Sequence, residues 1–279
     1  MTRWKRLESI DRRVIFVVLM LGVITPMVFP LRLPIAVTPE VQSIYDRIES
    51  LRPGDVIMLA AEYDPSTLAE MQTMTFNTIR HAFRRGAKVV ATCLYTTGVS
   101  QVEQDLRKIS DEMGKKYGED WVYLGYKPYP AQVILAMGQD FRNPFPKDYY
   151  GTDTDKLPLM KGIKNYHSLK FVLTVNATSG VDYWLQYGQS RYQFPLAMGV
   201  TAVMATDYYT YLQSKQIFGL IGGMKGAAEY EALMGEKKGY ATKVMNVQSV
   251  VHCVIVACIV MGNLAFVMSG GRLRMRGRA

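Results

Sequence analysis

Three of the 279 residues are cysteines and three are histidines. So few thiols exclude a disulfide framework: Cys93 stands alone mid-chain, while Cys253 and Cys258 lie in an apolar run near the end. The histidines, His81, His167 and His252, are far apart in sequence, and there is neither an HExxH helix nor a GxSxG elbow. Cys93 falls inside a predicted strand without the glycine-flanked turn that would expose a nucleophile, so it reads as a small core residue. Asp148, Asp153 and Asp155 lack the spacing of a twelve-residue calcium loop. Internal repeats and low-complexity segments are also missing. No cofactor and no metal is expected, and the chemistry-bearing residues do not point clearly to an enzyme.

Charge is missing from two stretches, 14–31 and 244–268. A membrane-spanning helix needs about 20 mostly apolar residues. The first stretch, VIFVVLMLGVITPMVFPL, supplies eighteen, with Pro26 and Pro30 near its far end. A basic start before an apolar run also fits a cleaved secretory signal. This run is longer than the usual signal core, however, and no small-x-small cleavage site follows it, so an uncleaved anchor is expected. The second stretch has twenty-five residues without a charged side chain. Within it Ser249, Cys253 and Ala257 follow at i, i+4 and i+8, a small-residue stripe that lets another helix approach closely. Asn246 and His252 fall near the same face and are costly in lipid unless they meet protein. Two partners for that face stay open, the first span of the same chain and a second membrane protein.

The formal charge of +9 sits mainly outside these spans. Residues 1–13 hold five basic and two acidic groups, Arg32 adds one positive charge, and Arg272, Arg274, Arg276 and Arg278 add four. Residues 33–243 hold 23 basic and 22 acidic groups. A nucleic-acid protein concentrates charge on a folded face, so the high isoelectric point does not indicate one. Basic flanks stay cytoplasmic. The expectation is therefore a two-pass inner-membrane protein with both termini cytoplasmic, the domain 32–243 extracytoplasmic, and the tails 1–13 and 269–279 attracted to anionic lipid.

The domain pattern alternates strand and helix. Thr38-Pro39 opens a helix to about residue 51, and Pro53-Gly54 ends it. Strands are predicted over 56–61, 88–95, 121–126, 170–175 and 195–204, with helices at about 64–85, 100–117, 131–137, 180–192, 207–216 and 225–234. Thr67 with Glu70, and Ser100 with Glu103, have capping-box spacing. The stretch 138–166 dissolves into Pro, Tyr, Gly and Asp and reads as a long loop or lid. Gly219, Gly222, Gly223 and Gly226 lack the strand-then-GxGxxG context of a nucleotide loop and read as tight packing. This order implies an α/β fold, a Rossmann-like mostly parallel sheet of about five strands with helices on both faces, flanked by one transmembrane helix at each end.

Ligands of open parallel sheets bind beyond the strand carboxyl ends where strand order reverses. Three strand–helix units precede the long insertion, which makes the first and fourth strands neighbours around that crevice. The first loop brings Glu62, Tyr63 and Asp64, where two carboxylates suit acid–base work or a cation, or a plain helix cap. The fourth brings Asn176, Thr178 and Ser179 at a helix start, suited to an anion or to ordinary capping. Asn176-Ala-Thr178 also matches a glycosylation sequon. Thr97, Lys127 and Asp207 complete the rim, and tyrosines such as Tyr129, Tyr149, Tyr150 and Tyr211 suit protein contact or sugar stacking.

Short tails of about thirteen and ten residues offer no output module, so a signal or transport role would require partners. The expected function is a non-catalytic accessory subunit of a membrane complex, partnered by other integral membrane subunits or its own copies, with a domain that binds a partner or small ligand. One alternative is a membrane-tethered envelope hydrolase or transferase using Glu62, Asp64 or Asp207. Another is a solute-binding sensor that signals through a partner.

Overall fold

The computed structural model describes residues 11–29, 31, 33–236 and 239–268. The chain divides into two compact units, Ile35–Thr242 and the combined terminal segments Met1–Pro34 and Lys243–Ala279. The expected basic tails fall almost wholly on residues 1–10 and 269–279, outside the described residues, as does Arg32.

The larger unit contains one six-stranded, all-parallel sheet ordered β3-β2-β1-β4-β5-β6. Its strands are β1 (Val56–Glu62), β2 (Lys88–Thr92), β3 (Trp121–Tyr123), β4 (Val172–Asn176), β5 (Leu196–Val200) and β6 (Gly219–Gly222). The first helix of this unit is labelled α2 (Pro39–Glu49), followed by α3 (Leu68–Arg84), α4 (Val99–Glu112) and α5 (Pro130–Gln139). A continuous helical run, α6, comprises Gly180–Tyr183, a π-helical Trp184–Gln189 and Ser190–Tyr192; α7 (Ala205–Gln213) and α8 (Gly223–Leu233) complete the unit. Strands buried on both faces read as continuous apolar runs, which is why VIMLAAE and LAMGV lack alternation. Met58, Ala60, Val90 and Met198 face a core shared with Ile134 and Met137 of α5, Trp184 of α6 and Tyr208 of α7. On the other face α2, α3 and α8 pack against one another.

β6 is the strand that glycine concealed. Gly219 lies under α2, where a Cβ would come within 2.3 Å of Ile44 and 2.8 Å of the Glu40 carbonyl oxygen. Gly223 has φ +58° and would meet Ala202 at 2.5 Å. These glycines mark close backbone approach at a short edge strand, not a loop.

The 138–166 stretch is not structureless. It contains the 3₁₀ turns Thr154–Lys156 and Pro158–Gly162, with Tyr166–Ser168 just beyond, and Phe141, Phe145, Leu159, Met160 and Tyr166 join the core. Tyr149 N–H donates to the Tyr123 carbonyl at 3.0 Å and Leu159 N–H to that of Gly118 at 2.8 Å, so the segment lies along β3 and covers its free edge. The carboxylates in it are already engaged. Asp148 accepts from Tyr117 Oη (2.6 Å), Asp153 pairs with Lys156 (2.6 Å), and Asp155 pairs with Arg142.

Neither capping box forms. Thr67 precedes α3 without a side-chain cap, and Glu70 instead accepts from Ala202 N–H at 3.0 Å. A 3₁₀ turn, Thr96–Gly98, leads directly into α4, which puts Ser100 inside the helix and leaves Glu103 to bind Arg107 and Tyr150.

In the terminal unit, α1 (Arg12–Val28) has 17 residues and α9 (Tyr240–Met268, whose first three residues belong to the larger unit) has 29. At about 1.5 Å per residue, α1 is roughly 26 Å long and shorter than a hydrocarbon core of about 30 Å. Among the described residues one helix, α9, is long and apolar enough to cross a membrane. The expected first span over 14–31 is therefore cut short: the helix ends at Val28, two residues after Pro26, and Phe29, which precedes Pro30 in the sequence, is extended.

Candidate functional site at the strand-order reversal

β1 and β4 are neighbours, with Glu62 in register with Asn176 at their carboxyl ends. This is the reversal point of the sheet, and its polar groups are turned on one another. Glu62 is 2 % exposed; its Oε1 accepts from Trp184 Nε1 and its Oε2 from Asn176 Nδ2, both at 2.8 Å. The Asn176 Oδ1 then accepts from Thr178 N–H (2.7 Å) and Thr178 Oγ1 (2.8 Å), and Thr178 Oγ1 accepts from Gly180 N–H at 3.0 Å. A Cβ on Gly180 would lie 2.2 Å from Glu62 Oε2, so only glycine fits where α6 begins. Burial raises the Glu62 carboxyl above the ordinary glutamate range, against the lowering pull of Trp184 and Asn176. With each oxygen bonded to a buried donor and the side chain almost fully enclosed, Glu62 holds the two strand ends together and is closed to a substrate.

The neighbouring residues form separate networks. Tyr63 Oη donates to Asp105 Oδ2 at 2.9 Å, and Asp105 Oδ1 accepts from Gln72 (2.7 Å) and Gln101 (3.0 Å). Burial raises the Asp105 carboxyl while those three donors lower it. Asp64 closes an Asx turn onto Ser66 N–H (2.9 Å) and Ser66 Oγ (2.6 Å), which holds its carboxyl below the usual range. Gly98 presses on the same loop, where a Cβ would sit 2.3 Å from the Tyr63 carbonyl oxygen. Cys93 lies beneath it, its thiol pushed up to about 12 by burial and its Sγ bonded to the Tyr95 carbonyl at 3.2 Å.

Of the nine rim residues chosen from sequence, the structure joins Glu62, Asn176 and Thr178 in one network. Tyr63 and Asp64 belong to two others. Thr97, Ser179 and Asp207 are exposed and Lys127 is half-buried, and none of these four is bonded to Glu62. The sequon asparagine is fully buried with its amide committed to Glu62, so it is closed to glycosylation in the folded chain. Sequence reasoning missed Trp184 and Asp105. The available signal was a glutamate ending an otherwise apolar strand, which requires buried donors from the adjacent strand–helix unit.

A second polar system lies on α8. Glu229, 1 % exposed, accepts from Thr38 N–H (2.8 Å) and Thr38 Oγ1 (2.6 Å) through Oε2. Glu231, also 1 % exposed, accepts from Ala241 N–H (3.0 Å), Thr242 N–H (2.8 Å) and Thr242 Oγ1 (2.8 Å). Each carboxylate satisfies the open N–H groups at a helix start, Glu229 for α2 and Glu231 for α9. Between them Tyr230 meets His81 Nδ1 at 2.8 Å, while His81 Nε2 meets Glu49 Oε2 at 2.8 Å. Burial lowers the His81 pKa, opposed by Glu49. A groove of about 770 Å³ runs beside this system, lined by Gln72, Phe76, Arg80, Lys108, Glu236 and Tyr240.

No family model matches the chain, and no curated protein sequence matches it. Among solved structures it is similar to the crystal structure of AibC, at 12 % identity and a TM-score of 0.28, over 77 % of this chain and 53 % of that one. The chain thus spans about half the length of that protein. A likeness of this size carries no functional argument.

The residues predicted to line the α9 interface separate. Asn246 is buried within the terminal unit and its Nδ2 donates to the Leu31 carbonyl at 2.6 Å. Ser249 is half-buried and bonds back to the Met245 carbonyl at 2.8 Å. His252, Cys253 and Ala257 are exposed. On α1 Gly22 faces Val254, where a Cβ would make an ordinary van der Waals contact at 3.5 Å.

Proposed function

We propose that this chain is a non-catalytic accessory subunit of a membrane protein complex, held in the bilayer by α9 and presenting its α/β domain for partner or small-ligand binding. The observation that carries the reading is the exposed face of α9. His252 and Asn263 are eleven residues apart, three helical turns, and share one side of the helix with Val256 and Ile259. All four are exposed, and among the described residues neither polar side chain makes a hydrogen bond. Polar groups facing lipid are costly and are usually covered by another helix. Other integral membrane subunits or further copies of this chain fit that face. A Rossmann-like domain with a sealed reversal point supports a binding or scaffolding role over acid–base chemistry by Glu62, Asp64 or Asp207, which share no site.

Native mass measurement of the full chain, extracted in mild detergent, tests this. Co-purifying subunits or a homo-oligomer are expected, and the double substitution His252→Leu with Asn263→Leu is expected to release the monomer. A lone monomer from the unsubstituted chain would refute the complex.

A further inference from the structure

His81 lies where α2, α3 and α8 pack on one another, 4 % exposed and with a partner on each ring nitrogen. The partners fix which nitrogen carries the proton. Glu49 is held below the ordinary glutamate range, first by its hydrogen bond with His81 and further by Arg85. It is therefore a carboxylate, which can only accept, so Nε2 donates to it. Nδ1 of the neutral ring is then an acceptor, and Tyr230 Oη donates to it. Tyr230 is 1 % exposed, and its hydroxyl has no other hydrogen-bond partner among the described residues.

A protonated ring donates from both nitrogens. Its Nδ1–H would point at Tyr230 Oη, and the tyrosine proton would turn away into a buried space that offers no acceptor. Proton uptake thus strands one donor at the contact between α3 and α8. The charged and titratable groups around the ring come from each element. From α2 it faces Glu49 and the ring of Tyr45, whose centroid is 4.7 Å away. Arg84 and Arg85 follow it at the end of α3, and Glu236, beyond α8, pairs with Arg84 at 2.8 Å. Burial disfavours the imidazolium most, the two arginines add to that, and Glu49 opposes it.

On α8, Tyr230 stands between the two capping carboxylates. Glu229 closes the first turn of α2 through Thr38, and Glu231 that of α9 through Ala241 and Thr242, all within the larger unit. Three consecutive residues of one helical turn move together, so whatever steadies Tyr230 steadies both caps. We infer that His81 is a proton-operated clasp on α8: the neutral ring holds Tyr230, and proton uptake loosens the Glu229 and Glu231 caps together. The histidine pKa is lowered in the folded domain, so the clasp is complete above the unfolded value of about 6.5. It is given up as pH falls from there through the folded value.

The test uses the full chain in nonionic detergent. Nitrogen NMR follows the His81 ring, and hydrogen exchange, corrected for the intrinsic effect of pH, follows the Thr38, Ala241 and Thr242 amides. An Nε2–H tautomer is expected above the titration. Protection at the three amides is expected to fall about tenfold as the ring takes its proton, the weight of one unmade buried hydrogen bond, while the amides of β4 keep theirs. Glu49→Gln removes a partly exposed charge that draws the proton to the ring. Ring titration and amide transition should then move to lower pH by the same interval. An amide transition that stays in place while the ring titration moves assigns the loosening to a capping carboxylate and overturns the clasp. A ring that stays neutral until the domain unfolds, an Nδ1–H tautomer, or an equal loss of protection in β4 overturns it as well.

Discussion

Replacing Glu62 by glutamine separates the two energies that meet at the reversal point. The glutamine oxygen can still accept from Trp184, but its amide nitrogen then faces Asn176 Nδ2, donor against donor. Asn176 cannot rotate to relieve this without giving up the two bonds that its Oδ1 accepts from Thr178. An unmade buried hydrogen bond costs about 1–3 kcal/mol, so Glu62→Gln is less stable than wild type at acid pH. Raising the pH changes the comparison. The Glu62 pKa is raised in the folded state, so the protonated carboxyl contributes stability that is fully present below its unfolded value, about 4.3. That contribution is lost as pH rises through the folded value, by up to about 1.4 kcal/mol per pH unit between the two. Glutamine does not titrate, so the variant gains on wild type across that window and the difference is flat on either side. Thermal unfolding of the full chain in nonionic detergent, read by near-ultraviolet circular dichroism from about pH 4 to about pH 8, resolves this, since 1 kcal/mol moves the midpoint of a domain this size by about 2–4 °C. Parallel pH profiles for the two proteins would refute the assignment of a buried, ionisation-resisting carboxyl at this position.

Three other outcomes follow from the same geometry. Gly180→Ala places a methyl group 2.2 Å from Glu62 Oε2 and is expected to cost about 1–3 kcal/mol in overpacking, with an unchanged midpoint refuting the close approach. Glu231→Ala removes the acceptor for Ala241 and Thr242 and should destabilise the start of α9 by about 1–2 kcal/mol; hydrogen exchange at those two amides must quicken, and unchanged rates would sink the idea. Cys93, buried and with its thiol pushed up to about 12, should stay unmodified by maleimide at mildly alkaline pH until the chain is unfolded; labelling at the rate of a free thiol would contradict its place in the core.

Much of the fold was legible in residue order because parallel strands buried on both faces leave uninterrupted apolar runs bounded by turns. VIMLAA, KVVAT and the run before Asn176 were visible for that reason, as was the adjacency of β1 and β4, which follows from the number of strand–helix units before the insertion. β6 was not visible: two apolar residues between glycines look like a loop until α2 is known to lie against Gly219. The capping boxes failed because spacing does not reveal competing partners, and Glu70 and Glu103 found theirs more than one helical turn away. Glu62 and Asn176 were read as separate candidates on two neighbouring strand ends, and composition could not say that they bond to each other or that Trp184 closes the contact. The π-helical turn that begins at Trp184 has no sequence signature of its own. The bounds 14–31 ran past the helix because hydropathy counts residues and takes no account of Phe29, before Pro30 in the sequence, leaving the helix after Val28.

The bond between Thr38 and Glu229 joins positions 191 apart in the chain. At a synthesis rate of about 5–20 residues per second, roughly 10–40 s separate the appearance of the two partners at the ribosome. Throughout that interval the first turn of α2 has no carboxylate to close it, and the apolar stretch before it is not yet fastened to a finished domain. The segment therefore has time to find its own environment before the domain fixes its position. Only when α8 emerges does Glu229 secure the beginning of the domain, and a dozen residues later Glu231 secures its end. α8 is thus the helix that completes both junctions, and a chain truncated before it would have neither.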